Sequence, residues 1–131
     1  IGLLIAHSQY HKHGAYLVKY SDLPGFSLRD QLFLSVLVRC HRRKFRPPMV
    51  EALPDDIRAY AVKLCILLRL SVLLHRSRSE KPAPEIQVTA TEKSIRLAFP
   101  EDWLADHPLS RADLKTERKH LATFGFTLEY T

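Results

Sequence analysis

The sequence predicts a mainly α-helical protein followed by a small α+β tail, and three observations carry that prediction. Apolar residues recur at three- and four-residue spacing through most of residues 1–81. A proline-rich connection, Glu80-Lys81-Pro82-Ala83-Pro84, comes next. Beyond it the apolar period drops to two across residues 85–99. These features assign a helical domain to residues 1–81 and a ββαβ subdomain to residues 82–131. The 131 residues are 46% apolar and 26% charged, a globular rather than a disordered balance. That length suits one compact domain or two small subdomains.

The first helix is expected from Ile1 to about Tyr20, with a break near Gly14. Ile1, Leu4 and Ile5 supply one apolar face; Tyr16, Leu17 and Tyr20 supply another. Pro24-Gly25 ends the segment. Ser27 is suited to cap the second helix, and Asp30 can reach back to it in a capping-box arrangement. The second helix is expected to run to about Arg43. Leu28, Leu32, Phe33, Val36, Leu37 and Cys40 form its core stripe, with Arg29, Ser35, Arg39, Arg42 and Arg43 opposite. Pro47-Pro48 breaks the chain. Pro54 can open the third helix, where its missing N–H costs nothing, and Asp55 and Asp56 suit the positive end of the dipole. This helix should reach about Arg76. It is apolar nearly all round in its middle, so other helices are expected to surround it.

In the tail, Glu85–Thr91 and Ser94–Phe99 alternate as strands, joined by a short turn at Thr91-Glu92-Lys93. A helix is expected from Ser110, as its cap, to Thr123, with Gly125 ending it. Phe126–Tyr130 then forms a third strand. The expected result is a small antiparallel sheet with one face covered by a helix. Trp103 and His107 are read as packing between the two.

The net charge of +6 is unevenly spread. Residues 1–81 carry 14 Lys/Arg against 6 Asp/Glu, whereas residues 82–131 carry 6 against 8. The positive potential of the first part can draw in a polyanion, or can be an ordinary solvated surface. Cys40 and Cys65 both fall in apolar helical patterns, which suits free thiols in a reducing cytoplasm better than a disulfide. No signal peptide is visible. The apolar run Leu64–Leu74 is too short to span a bilayer and contains Arg69. A first residue other than methionine, Ile1, is the expectation for part of a longer protein.

Two groups of residues can carry chemistry. His7, His11 and His13 fall within seven positions, but no Cys, Asp or Glu between Ile1 and Tyr20 completes a metal site. Hydrogen-bonded histidines or an anion-binding surface fit better. The second group is Arg39, His41, Arg42, Arg43, Lys44 and Arg46. Arginine forks match phosphate oxygens two at a time, and a string of cations binds a phosphate chain without reading any base. His11, Lys12 and His13 fall on the same side if the first two helices pair. The alternative is a solvated helix end whose cations suit the dipole. Nucleic acid is disfavoured, because Tyr10, Tyr16, Tyr20 and Phe33 mostly fall at core spacings and no nucleic-acid module is recognisable. A self-contained enzyme finds no support: there is no Gly-rich phosphate loop, GxSxG, HExxH or His-Asp dyad.

Several stretches carry a resemblance: IGL at the start, HKHGAY, SDLPGF, LVRCHRR, LCILLRLSVLL and LAFPEDWLADHPL. Together they resemble the C-terminal region of the exopolyphosphatase / guanosine pentaphosphate phosphohydrolase (Ppx/GppA) family over nearly the whole chain. The HRR element looks more like the exopolyphosphatase branch. The resemblance implies that residues 1–81 form an HD-like helical domain. It also implies two actin-like catalytic domains upstream, using magnesium, so that no catalytic or metal-binding residue is expected in this chain. Its residues would hold inorganic polyphosphate, or a phosphorylated guanine nucleotide, and form a homodimer surface. First choices for phosphate contacts are Arg39, His41, Arg42, Arg43 and Lys44, followed by His11, Lys12 and His13. Two rival readings remain: a stand-alone HD-class metal phosphohydrolase, and a dimerisation module without a ligand.

Overall fold

The computed structural model describes residues 10–75 and 84–131, with only the backbone of Tyr10. The expected start of the first helix, including His7, and most of the connection at residues 80–84 lie outside the described residues. The chain forms two compact units, Ile1–Arg69 and Leu70–Thr131. It is mainly helical, with its strands confined to the C-terminal part.

In the first unit, helices α1 (Tyr10–Tyr20) and α2 (Leu28–Cys40) are followed by a 3₁₀ turn (Pro47–Met49) and then α3 (Asp55–His75), whose last turns belong to the second unit. Helix α1 passes through Gly14 without the expected break. Gly14 and Ala15 are buried instead, and the Ser35 hydroxyl donates to the Ala15 carbonyl at 3.1 Å. Small residues at the α1–α2 contact let the backbones approach, which explains both the glycine and the burial of Ser35, expected on the solvent face. The buried Gln31 amide closes α1 by donating to Ser21 O at 2.6 Å, supplying one of the partners a helix C-terminus lacks.

Between the helices, Phe26 N donates to Leu23 O at 3.1 Å, and Gly25 has φ +86°. Pro24 followed by a positive-φ glycine is the signature of a type II turn. Ser27 then caps α2 as expected, with both halves of the capping box present. Three expectations fail. Leu28, placed on the core stripe, is 84% exposed because it sits in the first turn. Tyr16 and Tyr20 are 63% and 64% exposed, with ring centroids 4.7 Å apart, rather than buried. Helix α3 is not covered all round: Tyr60, Leu64, Leu67 and Leu68 remain exposed along one side. Its other side, through Ala61, Val62, Cys65, Ile66 and Arg69, is buried.

In the second unit, β1 (Gln87–Ala90) and β2 (Ser94–Ala98) form the expected hairpin. A short α4 (Trp103–Asp106) and a long α5 (Pro108–Ala122) lead to β3 (Thr127–Tyr130). The sheet order is β1-β2-β3, but β3 pairs with β2 in parallel, Ser94 opposite Thr127. The sheet is therefore mixed rather than antiparallel. A helical crossover returns the chain in the same direction, which is how parallel neighbours arise. Helix α5 begins at Pro108, two residues before Ser110, and Ser110 is not its cap. Gly125 (φ +74°) ends it, with Phe126 N bonded to Leu121 O at 3.1 Å. Ile95, Leu97, Leu114, Leu121 and Leu128 are buried. The Arg118 guanidinium ties α5 to β3, donating to Leu128 O and lying 4.5 Å from the Tyr130 ring centroid. Phe99, Trp103 and His107 stack in sequence, with centroids 4.9 and 4.0 Å apart.

Candidate functional site

The basic cluster does not continue α2. The helix stops at Cys40, His41 caps it, and Arg43 takes a left-handed backbone (φ +59°). Residues 41–46 therefore form a turn, not a helix face. A left-handed conformation is unfavourable for a residue with a Cβ, by about 1–2 kcal/mol. Something must hold it, and the structure shows what. The guanidinium of Arg69, buried within α3, donates to the Cys40 carbonyl at 2.7 Å and to the Arg43 carbonyl. One rigid fork thus fixes both ends of a four-residue span. The Phe45 ring is fully buried beneath the same guanidinium, with its centroid 5.1 Å from Arg69 Cζ.

This anchoring decides where the predicted cations go. Arg43, Lys44 and Arg46 are exposed, and His41 and Arg42 are half-buried. The His41 Nδ1 contacts the Val38 carbonyl. Burial lowers the His41 pKa, opposed by that carbonyl contact and helped by Arg42 and Arg69. Arg39 is exposed on the last turn of α2. From α1, Lys12 is exposed, His13 is half-buried and His11 is buried. Burial first, and then the charges of His41, Arg43, Lys12 and Arg42, bring the His11 pKa down from 6.5 to about 4. His11 is therefore neutral at pH 7. The same set of neighbours shows that α1 and the basic turn share one field of positive potential.

A cleft of about 460 Å³ lies beside the turn. Lys12, Lys19 and Arg39 bring three cations to it, and Tyr16, Tyr20 and Met49 bring apolar walls. The Lys19 ammonium lies 5.3 Å from the Tyr20 ring centroid. Lys12 and Arg39, expected on the same side if the first two helices pair, line one cleft. Lys19 was not singled out by sequence reasoning, the tyrosine pair was placed at core spacings, and Arg69 was noted only as a charge that interrupts an apolar run. A signal for Arg69 was available: a lone charge inside an apolar helical run is buried only with partners. For Lys19 no sequence signal distinguishes it from an ordinary surface lysine.

Among the described residues, no three His, Cys, Asp or Glu side chains converge as a metal site, and no helix is long and apolar enough to cross a membrane. What the arrangement offers is exposed positive charge, Arg43, Lys44 and Arg46 at the turn and Lys12, Lys19 and Arg39 in the cleft, of the kind that suits an anion. The profile of the Ppx/GppA phosphatase family, domain III, matches residues 1–118. The chain belongs to the Ppx/GppA phosphatase family. Relatives named guanosine-5'-triphosphate,3'-diphosphate pyrophosphatase match almost all of it. The protein from Pseudoalteromonas translucida is 34% identical over 128 residues, covering 98% of this chain and 26% of its own length. That from Vibrio cholerae is 32% identical over 134 residues, covering 98% and 25%. The chain thus spans about a quarter of the length of the curated relatives it matches, and the match to their C-terminal part agrees with the domain III assignment.

Proposed function

We propose that this chain is the part of a Ppx/GppA-type phosphohydrolase that holds an extended phosphate chain, inorganic polyphosphate foremost, while terminal phosphate is released in upstream domains. The observation that carries this reading is the turn at residues 41–46. Its cations are presented on a backbone held by Arg69, and Arg39 and Lys12 extend the track. Many individually weak phosphate contacts keep a polymer bound between successive cuts. Magnesium, on this reading, belongs to the upstream acids. A cytoplasmic location goes with the same reading.

A titration with polyphosphate at low and moderate salt, with phosphate release followed in the same samples, tests it. Binding should weaken steeply with salt and no phosphate should be released. Each phosphate contact contributes roughly 0.7 to the log–log salt slope for a single-stranded polyanion. Replacing Arg42 and Arg43 together by Ala should therefore lower the slope by roughly 1–1.5. An unchanged affinity would refute the assignment of these residues, and phosphate release by the chain itself would refute upstream catalysis.

A second reading places guanosine pentaphosphate in the site. Two observations favour it: the printed names of the relatives, and the exposed Tyr16–Tyr20 pair in a cleft with three cations. Aromatic faces stack on bases irrespective of polymer length. A guanine nucleotide displacing polyphosphate at lower concentration than an inorganic chain of equal charge would favour this reading. Loss of that advantage in Tyr16→Ala would place the base in the cleft. Homodimerisation is a further part of the proposal, supported by the exposed Tyr60, Leu64, Leu67 and Leu68 of α3.

A further inference from the structure

The second unit holds a cleft of its own, about 480 Å³ in volume, lined from α4, α5 and β3. Arg111, Lys115 and Arg118 bring three cations to it. Leu104, Pro108 and Ala112 bring apolar surface, and Tyr130 brings an aromatic ring. Among the described residues no acidic side chain lines it. We propose that this cleft binds a nucleotide, with its phosphates on the three cations and its base on the apolar wall beside Arg118 and Tyr130.

The cations are placed together by the helix. Positions 111, 115 and 118 follow the i, i+4, i+7 spacing of one face, whereas Asp113 and Glu117 of α5 fall on the other side. General charge excess does not explain the cluster. Residues 82–131 carry six Lys/Arg against eight Asp/Glu, and three of those six cations converge here. Arg96 of β2 is spent on Glu129 of β3, while no ion pair among the described residues engages Arg111, Lys115 or Arg118. Nor does the helix dipole account for it. Arg111 is the fourth residue of α5, at the end where the dipole disfavours a cation.

Arg118 is set in advance. Its Nε donates to the Leu128 carbonyl at 3.1 Å, and its Cζ lies 4.5 Å from the Tyr130 ring centroid. Tyr130 follows the buried Leu128 by two positions, so the pairing of β3 with β2 puts both on the face that α5 covers. One edge of the planar guanidinium is thereby fixed, and its terminal nitrogens keep their donors for a ligand.

The mixture of walls selects the ligand class. A bare phosphate chain would neutralise the cations and leave the apolar wall unused. An uncharged aromatic would do the reverse. A nucleotide uses both, because a di- or triphosphate presents adjacent charges to arginine forks and a base stacks on guanidinium planes and aromatic rings. The volume falls within the range of small-molecule sites, roughly 300–1,000 Å³. This cleft belongs to a different unit from the basic turn, so the proposal stands whether or not the turn holds phosphate.

An amide NMR titration of the full chain at low salt tests it, with GTP and ATP compared against inorganic tripolyphosphate. Either nucleotide should shift amides of residues 104–118 and 128–130 at concentrations about tenfold below those tripolyphosphate needs, the advantage expected from stacking one base. Arg111 and Lys115 are exposed, so Arg111→Ala with Lys115→Ala should keep a native spectrum and weaken that response by about tenfold or more. Arg118→Lys keeps the charge but not the plane, and should remove most of the advantage of nucleotide over tripolyphosphate. Lys19→Ala with Arg39→Ala strips two cations from the cleft of the first unit and should leave the response of residues 104–130 in place. No shift in residues 104–130 at millimolar nucleotide, or an unchanged response in the Arg111→Ala, Lys115→Ala protein, overturns the proposal. Tripolyphosphate acting at the same concentration as the nucleotides overturns the assignment of the base to the apolar wall.

Discussion

Replacing Arg69 by Met isolates the device that shapes the candidate site. Met approximates the aliphatic stem of Arg69 but carries no donor. Two hydrogen bonds from a charged group are lost, to Cys40 O and Arg43 O, each worth about 1.5–3 kcal/mol by truncation. The contact with the Phe45 ring adds about 0.5–2 kcal/mol. Against this, the desolvation of a buried cation is relieved, a term of several kcal/mol. Because the carbonyls stay in place without their donor, the balance remains unfavourable, and a net loss of about 2–4 kcal/mol is expected. Urea unfolding of the two proteins measures it. Arg69→Lys should fall between them, since an ammonium lacks the planar fork that spans both carbonyls. The functional consequence is sharper. Arg69 is buried and cannot itself touch a phosphate chain, yet folded Arg69→Met should bind polyphosphate about three- to tenfold more weakly because Arg43 is no longer held. A folded variant with native affinity would refute the idea that the clamp organises the site, and native stability would refute the accounting.

Two further outcomes follow from local geometry. Ser27→Ala removes the side-chain acceptor for Asp30 N and should cost about 1 kcal/mol in urea unfolding; a change near zero would mean that the end of α2 is held by other contacts. His11 has its pKa depressed to about 4 in the folded state, from 6.5, so the unfolded chain takes up a proton first as pH falls. Stability is then fully present above about pH 6.5 and declines towards pH 4, by about 1–3 kcal/mol from this group. His11→Gln, which cannot titrate, should flatten that part of the stability–pH curve, and an unaltered slope would show that another group is responsible.

Local chemistry was legible wherever it acts over a few residues. Ser27 and Asp30 announced the capping box three positions apart. Pro24-Gly25 announced the turn, and Gly125 announced the end of α5. What sequence reasoning missed depends on partners distant along the chain. The end of α2 was placed at Arg43 because the helical pattern runs on, whereas the carbonyls of Cys40 and Arg43 are taken by a residue 26 to 29 positions away. Ser35 was placed with the arginines on the face opposite the apolar stripe of α2, but it packs against α1, where its hydroxyl donates to the Ala15 carbonyl. The tyrosines of α1 have helical spacing that suits a core, and spacing cannot say which of two faces is covered. The direction of β3 was similarly hidden, because alternation marks a strand without giving its orientation.

The cost of the basic turn is itself an argument about its use. Arg42, Arg43, Lys44 and Arg46 place four like charges within five residues, and their mutual repulsion opposes any compact arrangement. Arg43 adds an unfavourable backbone conformation. The support chosen for this turn is a fifth cation, Arg69, withdrawn from water beneath it. A chain that needed only to link α2 to α3 could do so with a glycine at residue 43 and an apolar residue at 69, avoiding each of these terms. Sites that break several local rules at once, and are held in place by a dedicated buried contact, are where function is expected. A bound polyanion removes the main penalty, since phosphate charge turns the repulsion among the cations into attraction. Stabilisation by ligand should therefore be larger than a neutral surface would show. Polyphosphate at about 100 times its dissociation constant should raise the unfolding free energy by about 2.7 kcal/mol. The gain should shrink as salt screens the cluster and shrink again in Arg69→Met. A thermal melt that polyphosphate leaves unmoved at low salt would mean that the strained turn serves some other end.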